Sequence, residues 1–297
     1  MTAPRQILEG TTYLVTRRCS ERRFLLRPSK ATTRTFAYIL AVAAKRYGIR
    51  LHAWCVLSNH YHLVLTDPRA NLPAFSQYLD SLVARAINAS HGRWENFWAP
   101  NSYSAVVLET PQDVIAKTAY VLANPVAAGL VEHGREWPGL WSAPDLIGGA
   151  PVSVERPKVF FRPNGPMPLV TPLRLHRPAG FASATEFDTR LAEALGALEA
   201  QAAERLAAEG RSFLGADWVQ AQKPTGRPAP GEPRRTLKPR LACRDKGKRI
   251  EALARLGEFA RAYRAALAGW RRGIRYTLFP PGTYQLRLAH CVCCATG

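Results

Sequence analysis

The 297-residue sequence lacks long hydrophobic runs. No uninterrupted apolar stretch reaches the roughly 18 residues that a membrane-spanning helix needs, which excludes an integral membrane protein. Residues 1–23 also lack an apolar segment ahead of their charges, so we expect no secretion signal and place the protein in the cytoplasm. Six cysteines in such a reducing compartment favour free thiols over a disulfide scaffold.

Acidic residues are scarce relative to basic ones. Against 41 Lys and Arg stand 22 Asp and Glu, so the net charge is +19, of which residues 1–150 carry +6 and the rest +13. A surplus of this size indicates an anionic partner, either nucleic acid or a phospholipid surface. Because 47% of the residues are hydrophobic and only 21% are charged, the chain can bury a core and is not a disordered basic tail.

Hydrophobic periodicity in the first half predicts the element order βαββαβα. The predicted strands are 10–18, 50–57, 61–66 and 102–109, and the predicted helices are 33–47, 72–90 and 111–120. Thr110 followed by Pro111 is a typical start for the last of these helices. The order permits a ferredoxin-like α+β fold, with an antiparallel four-stranded sheet, two helices on one face and one added helix.

The second half has weaker signals and is predicted to be mostly helical and basic. Residues 148–180 read as irregular, whereas 185–208 and 249–272 have helical periodicity. Between them, 223–249 holds ten basic residues and five prolines, which predicts an extended linker and not a packed element. The predicted domains are 1–147, 148–222, 223–249 (the linker) and 250–297 (a helix and tail).

Two histidines stand two residues apart in Ser58-Asn59-His60-Tyr61-His62. On a strand, residues at this spacing point to the same face, so the two imidazoles would lie side by side in metal-ligand geometry. The alternative is that one histidine caps the turn and the other is an ordinary core residue. The spacing alone does not decide between them.

Tyr120 and Asn124 are i,i+4 neighbours on the last helix of the first half. Two histidines and an amide oxygen would hold Mg²⁺ or Mn²⁺ and leave coordination positions for a phosphate oxygen. A tyrosine beside such a metal could act as a covalent nucleophile on a phosphodiester. Separately, Tyr120 reads equally well as a buried aromatic, and Asn124 with Pro125 as a helix stop.

Taken together, these motifs resemble a known family. Ser58-Asn59-His60-Tyr61-His62-Leu63-Val64, followed by Tyr-Val-x-x-Asn-Pro-Val-x-Ala-Gly-Leu-Val over 120–131, is similar to the HUH single-tyrosine, IS200-like transposases, and most of all to the REP-associated tyrosine transposases of bacteria. Asn96-Phe97-Trp98 and the Trp137 to Trp141 segment also fit the pattern. The resemblance covers roughly residues 5–145. One departure is Ala127, where the family often has arginine, and it puts a DNA contact in doubt.

The resemblance implies a fold, a site and an activity. The fold is ferredoxin-like, His60, His62 and Asn124 are the ligands of a divalent metal (Mg²⁺ or Mn²⁺), and Tyr120 is the nucleophile. Tyr120 would cleave single-stranded or hairpin DNA, such as REP palindromes, through a 5′-phosphotyrosine, and the released 3′-hydroxyl could then rejoin strands. A nucleoid-associated location follows. One tyrosine per chain favours a homodimer, yet REP-associated relatives can be monomeric, so both states stay open.

Basic and aromatic residues outside these motifs are candidates for DNA binding. The predicted DNA-binding residues are Arg17, Arg18, Arg22, Arg23, Arg234, Arg235, Lys238 and Arg240, although the linker cations among them could be merely solvated. Trp94, Phe97, Trp98 and Tyr103 could stack on unpaired bases, but such aromatics are as often core residues. Cys291, Cys293 and Cys294 after His290 lack a separated second ligand pair, so a frayed terminus is favoured over a zinc site.

Two other classes of function compete with a transposase. The first is a non-catalytic nucleic-acid-binding protein derived from one, which the complete set of His60, His62, Tyr120 and Asn124 disfavours. The second is association with an anionic membrane, for which an amphipathic helix with aromatic anchors is missing.

Overall fold

The computed structural model describes residues 4–100, 103–229 and 239–296. The strands are β1 (Thr11–Arg18), β2 (Arg50–Leu57), β3 (His60–Asp67), β4 (Ser104–Leu108), β5 (Val152–Glu155), β6 (Val170–Leu173) and β7 (Leu241–Ala242). The helices are α1 (Lys30–Tyr47), α2 (Leu72–Ser90), α3 (Pro111–Leu122), α4 (Asn124–Ala127), α5 (Ala184–Ala208), α6 (Ala216–Ala221), α7 (Lys246–Arg271) and α8 (Gln285–His290). The predicted order βαββαβα is therefore confirmed.

The main sheet has the strand order β2-β3-β1-β4-β7. β1 to β4 pair antiparallel, as a ferredoxin-like sheet requires, and β7 adds a short parallel strand outside β4. In this register Thr16 lies opposite His62 and Arg18 lies opposite His60. Cross-strand partners share a face of the sheet, so the register places Thr16 and Arg18 with the two histidines.

The two faces of the sheet have different coverings. Tyr61, between the two histidines in sequence, points to the face covered by α1 and α2, where its ring packs against Phe36 with centroids 5.4 Å apart. Its hydroxyl donates to Asp80 on α2 at 2.7 Å. The opposite face, with His60 and His62, is covered by α3, which contacts β2 and β3.

Local signals at the helix ends match the sequence expectation. Ser29 caps α1 by accepting a hydrogen bond from the backbone of Thr32 at 3.1 Å, and α1 ends at Gly48, whose φ of 69° is the left-handed conformation that glycine favours. Thr110 and Asp113 form a reciprocal capping box at the start of α3. α3 therefore begins at a fixed point next to β4.

The structure corrects the prediction that 148–180 is irregular. β5 and β6 pair antiparallel in a separate two-stranded sheet, which packs against α1. Phe161, Leu173 and Leu175 join the same hydrophobic core as the main sheet. α5 packs on α3 and contributes Phe187 and Leu191 to this core.

The predicted unpacked linker is also wrong over its final residues. Leu241 and Ala242 pair with β4 as β7, and the backbone N–H of Arg244 donates to Asp113 at 2.9 Å. α7 then begins at Lys246, within the predicted linker. Pairing of β7 covers the edge of β4 that the four-stranded sheet would leave open. Arg234, Arg235 and Lys238 of the linker lie outside the described residues.

The C-terminal segment is packed against α7, so the prediction of a frayed terminus is wrong for the described residues. Phe279 is fully buried against α7, its backbone pairs with Cys294, and α8 lies between them in sequence. The carbonyl of Gly282 also accepts a hydrogen bond from the backbone N–H of Ile7 at 3.0 Å, so this segment contacts the residues that precede β1. Across the described ranges, no helix is both long and apolar enough to cross a lipid bilayer.

Candidate active site

His60 and His62 form the centre of the candidate site. They lie on the same face of β3, and their ring centroids are 4.8 Å apart with the rings nearly perpendicular. The strand spacing therefore brings the two imidazoles together as expected. The His62 side chain is almost completely buried under α3, whereas His60 lies at the strand end and is partly exposed.

Hydrogen bonds fix the tautomer of His60. The Nδ1 atom of His60 lies 2.6 Å from Oδ1 of Asn59, and the Asn59 amide is oriented by its Nδ2, which donates to the Arg22 carbonyl at 3.3 Å. Because Oδ1 only accepts, Nδ1 must carry the proton. The lone pair of His60 is therefore on Nε2. The Asn124 side chain is within hydrogen-bonding reach of the same imidazole.

His62 presents an unsatisfied nitrogen. Its Nδ1 lies 2.7 Å from Oγ1 of Thr16, the residue opposite on β1. Its Nε2 is buried and has no hydrogen-bond partner among the described residues. A buried polar nitrogen without a partner is costly, and such atoms in native structures usually mark a bound water or ion or a chemical role. Nε2 is the atom that a metal ion would use.

Burial keeps both histidines neutral. Desolvation lowers the pKa of His60 to about 4, and the charges of Arg18 and Arg22 lower it further, against a raising effect of Asn124. Desolvation also holds the pKa of His62 well below its usual range, with His60 and Arg18 adding to the shift. Neutral imidazoles keep the Nε2 lone pair that metal binding requires at neutral pH.

Tyr120 and Asn124 reach the histidines from the helical layer. The Tyr120 ring lies edge-on to His62 with centroids 5.5 Å apart, and 39% of Tyr120 is exposed. Lys117, one turn earlier on α3, places its Nζ 5.5 Å from the centroid of the Tyr120 ring. Asn124, at the start of α4, is 92% buried beside His60. The structure therefore gathers all four residues predicted for catalysis and metal binding.

Two tryptophans hold this part of the helical layer on the sheet. The indole of Trp141 donates to the carbonyl of Leu122 at 3.0 Å, and the indole of Trp137 donates to Val56 on β2 at 3.0 Å. The backbone of Val56 in turn donates to Leu140 at 2.8 Å. The segment thus covers the edge of β2 and anchors the end of α3. The sequence showed these tryptophans only as part of a family pattern, with no sign of their roles.

The donor set fits a divalent cation with open coordination positions. The rings of His60 and His62 lie together and the Asn124 side chain reaches His60, while Asn59 and Thr16 orient the two rings as ligating histidines are usually oriented. Within the described ranges, no group of three or more His, Cys, Asp or Glu is placed to hold a metal. A metal ion at this site would therefore need the Asn124 amide as its third donor, after the two histidines.

Comparison with known families identifies the region that contains this site. Residues 9–122 match the family described as "Transposase IS200 like". This region, 114 of the 297 residues, is similar to the IS200-like transposases. The match confirms the resemblance that the motifs around His60 and Tyr120 indicate. It ends just before Asn124, so the third predicted ligand lies outside the matched range.

Two solved structures are similar to this chain over part of its length. A REP-associated tyrosine transposase bound to a REP hairpin is 19% identical over 47% of this chain and 81% of its own, with a TM-score of 0.40. A candidate transposase from Deinococcus radiodurans R1 is 22% identical over 36% of this chain and 85% of its own, with a TM-score of 0.28. No protein of curated function matches significantly.

The predicted DNA-binding arginines divide between the two faces of the sheet. Arg18 lies opposite His60, and the charges of Arg18 and Arg22 both act on that imidazole. Arg17 lies on the other face of the sheet, 3.7 Å from Asp80 and against the Trp98 ring. Arg23 pairs with Glu21 at 2.9 Å on the surface. Only Arg18 and Arg22 of these are at the site.

Arg240 lies away from the site. Its guanidinium bonds to the carbonyl of Pro4, and its own carbonyl accepts a hydrogen bond from Val107 at the far end of β4 from Ser104. Ala127, where the family often has arginine, receives a guanidinium from another helix: Arg205 on α5 donates to the Ala127 carbonyl at 2.6 Å. The protein therefore has a cation next to this position although residue 127 is alanine.

The cysteines and the loop aromatics are distributed outside the candidate site. All six cysteines are free thiols, and Cys291 and Cys293 are exposed near α8. Phe97 and Tyr103 are buried, and Trp98 packs on Phe97 and Tyr61, so these three serve the core. Trp94 differs from them because 88% of it is exposed.

Proposed function

We propose that this transposase is a metal-dependent single-strand DNA endonuclease and strand transferase that works through a 5′-phosphotyrosine on Tyr120. The observation that carries the proposal is the unsatisfied Nε2 of His62 directly beside the Tyr120 ring. Cleavage of a phosphodiester by a tyrosine needs a nitrogen that can bind a cation and a phenol that DNA can reach, and here the two groups lie side by side.

His60, His62 and Asn124 are the proposed ligands of Mg²⁺ or Mn²⁺. When bound, the ion would polarise the scissile phosphodiester and offset the charge that develops on its oxygens. Asn59 keeps His60 in the tautomer that offers Nε2, and the hydroxyl of Thr16 orients the ring of His62. Arg18 and Arg22 attract the phosphate and hold it near His60, since their charges already act on that residue.

Tyr120 is the proposed nucleophile. Its Oη attacks phosphorus, the phenol proton passes to water at the exposed edge of the ring, and the bond from phosphorus to the 3′-oxygen breaks. The leaving 3′-oxygen takes a proton from water and becomes a free hydroxyl. The bond between phosphorus and Oη preserves the phosphodiester energy, so a 3′-hydroxyl can attack it later and release the phenol. The net result is strand transfer without hydrolysis.

The proposed substrate is single-stranded or hairpin DNA, with palindromes such as REP sequences as the expected sites. The net charge of +19 supports a polyanionic partner. Strand transfer requires two cleavages, and with one Tyr120 per chain we favour a homodimer at the DNA. An enzyme with this substrate would be associated with the bacterial nucleoid.

A covalent adduct on a denaturing gel tests the proposal. Labelled hairpin oligonucleotides from the neighbourhood of the gene are incubated with Mg²⁺ or Mn²⁺ and the wild type, Tyr120→Phe or His60→Ala. We expect a shifted band that needs the metal and is absent with both variants. Tyr276→Phe is a matched control because it removes a different exposed phenol, outside the candidate site, and should leave the adduct intact.

The competing function has a distinct signature in the same experiment. A non-catalytic DNA-binding protein would give no adduct with any strand or metal. It would still bind the oligonucleotides in a salt-dependent way, equally well in the wild type and in both site variants. That combination would overturn the proposed chemistry.

A further inference from the structure

A large groove separates α2 from the C-terminal helices on the side of the sheet away from the histidines. Its volume is about 1550 Å³, above the range of roughly 300–1,000 Å³ that is common for small-molecule pockets. Small side chains of α2, such as Ala74 and Ala84, form one wall, and Tyr263, Arg264 and Leu267 of α7 form the other. Its size and open shape suit a polymer better than a metabolite.

The groove is positively charged. Five arginines line it against two carboxylates, Asp80 and Glu95, and each carboxylate already has an arginine nearby. The five are Arg5, Arg17, Arg85, Arg264 and Arg271. They come from four different parts of the chain, so the positive charge of the groove is produced by the fold and not by a single basic helix. The excess of cations on both walls complements a chain of phosphates.

Aromatic residues accompany the charges. Five of them line the groove: Phe97, Trp98 and Tyr103 belong to the core at its base, whereas Tyr263 and Tyr284 are partly exposed. Trp94, which is 88% exposed, comes directly before the lining residues Glu95 and Asn96 and therefore lies at the mouth. A basic groove with aromatic side chains along it is the arrangement by which proteins hold single strands, with phosphates on the cations and bases on the rings.

The mouth of the groove is tied to the strand end that carries the candidate site. The loop from Trp94 to Trp98 is held there because Ser20 donates to the Phe97 carbonyl at 2.8 Å and Ala99 donates to the Arg18 carbonyl at 2.9 Å. Arg18 faces His60, and Arg17, the next residue back along β1, lines the groove. A strand leaving the site therefore needs to pass only over the end of β1 to enter the groove.

We propose that the groove between α2 and α7 binds the single-stranded DNA that flanks the scissile phosphate, with Trp94 stacking on a base at its mouth. This inference rests on the proposed function for its substrate and extends it to a second surface, on the face of the sheet opposite to His60 and His62. It gives residues 239–296 a role in holding substrate, because α7 supplies one wall.

Binding without cleavage tests the inference. The full chain carrying Tyr120→Phe is titrated, in buffer without divalent metal, into a labelled unstructured oligonucleotide of about 16 nucleotides and followed by fluorescence anisotropy. Arg264→Ala is compared with Arg261→Ala, which removes an equally exposed arginine of α7 that does not line the groove. Trp94→Ala is compared with Tyr276→Ala, another strongly exposed aromatic residue.

We expect Trp94→Ala to weaken binding about tenfold and Trp94→Phe to restore most of it, since stacking needs only a ring. Arg264→Ala should lower the slope of log affinity against log salt by about 0.7, the value for one single-strand phosphate contact. Both control variants should bind like the parent.

Equal affinities for Arg264→Ala and Arg261→Ala, with an unchanged salt slope, would overturn the groove as a strand site. Preferential binding to anionic lipid vesicles that Arg264→Ala abolishes would overturn it too, in favour of a membrane surface. These binding measurements need no cleavage, so they test the groove independently of Tyr120. The groove variants can bind like the parent while the Tyr120 adduct forms, and the groove can bind DNA while no adduct forms.

Discussion

The indole of Trp141 donates a hydrogen bond of 3.0 Å to the carbonyl of Leu122, midway between Tyr120 and Asn124. Trp141 also pairs through its backbone with Cys55 on β2, the neighbour of His62 across the sheet. One residue therefore connects the strand layer that carries the histidines with the helical layer that carries the tyrosine and the amide. Trp141 therefore helps to set the distance between the histidines on the sheet and Tyr120 and Asn124 on the helices.

Replacing Trp141 by phenylalanine should affect both stability and cleavage. The Leu122 carbonyl would lose its partner, which costs about 1–3 kcal/mol of unfolding free energy for a buried group. We also expect the rate of adduct formation to fall about tenfold, because Tyr120 and Asn124 lose a shared anchor. Urea unfolding and a time course of adduct formation measure the two effects.

Trp137→Phe provides the comparison for that variant. It removes a hydrogen bond of the same length, to Val56 on β2 and not to α3. A similar loss of stability with a smaller loss of rate is expected. Equal losses of rate in the two variants would mean that general destabilisation, and not the position of α3, limits cleavage.

Removing the side-chain amide of Asn59 should weaken metal binding. Without Oδ1 next to Nδ1, His60 is free to take the tautomer that blocks Nε2. We expect Asn59→Ala to reduce the affinity for Mn²⁺ by about 10- to 100-fold, the usual effect of deleting a group that is hydrogen-bonded to a ligating histidine. Isothermal titration calorimetry gives the affinity directly. Asn71→Ala, which deletes an amide bonded to Tyr47 far from the histidines, should leave the affinity unchanged.

Acid should destabilise the protein through His52. This residue is buried, with Nδ1 2.7 Å from the carbonyl of His176 and Nε2 2.7 Å from Oγ1 of Thr66. Desolvation lowers its pKa from 6.5 to about 4, and the nearby charges of His176 and Arg50 act in the same direction. The unfolded chain therefore takes up a proton below pH 6.5 that the folded chain accepts only near pH 4.

The stability contributed by neutral His52 is thus complete above pH 6.5 and is lost as the pH falls to about 4, at a total of about 3 kcal/mol. His52→Gln removes this one titration and should make the unfolding free energy depend less steeply on pH between 6.5 and 4, while His60 and His62 still contribute because burial lowers the pKa of both. Urea unfolding at pH 7 and pH 5 measures the difference between the variant and the wild type. Parallel losses in the two proteins would contradict the assignment.

Asp113 should contribute more to stability than a helix cap alone. One carboxylate oxygen accepts from the backbone and hydroxyl of Thr110, and the other accepts from Arg244 after β7 at 2.9 Å. We expect Asp113→Ala to lower the unfolding free energy by about 2–3 kcal/mol, against about 1 kcal/mol for Thr110→Ala, which disrupts the cap only. Similar losses for both variants would show that the bond to Arg244 adds nothing.

The sequence predicted the elements whose signals are local. Alternation and helical periodicity located β1 to β4 and α1 to α3, and the spacing of His60 and His62 placed both on one face. Alternation also separates Arg17 from Arg18, so the sequence held the reason why only one of them faces the site. Grouping them by charge alone missed it.

The missed features depend on contacts between distant parts of the chain. β7 is only two residues long and exists because β4 offers an open edge, so no pattern of its own could reveal it. The β5–β6 hairpin likewise owes its position to α1. The hydrogen bonds of Trp137 and Trp141 join residues 81 and 19 positions away, which composition and periodicity do not encode.

The pairing of β7 with β4 has a consequence for synthesis of the protein. Arg244 lies 131 positions after the Asp113 carboxylate to which it bonds, so a nascent chain on the ribosome presents β4 as an open edge until most of the C-terminal half has been made. An exposed strand edge invites pairing with other chains. During that interval the protein is most exposed to aggregation, and its expression should gain from chaperones that delay release or from slower translation at low temperature.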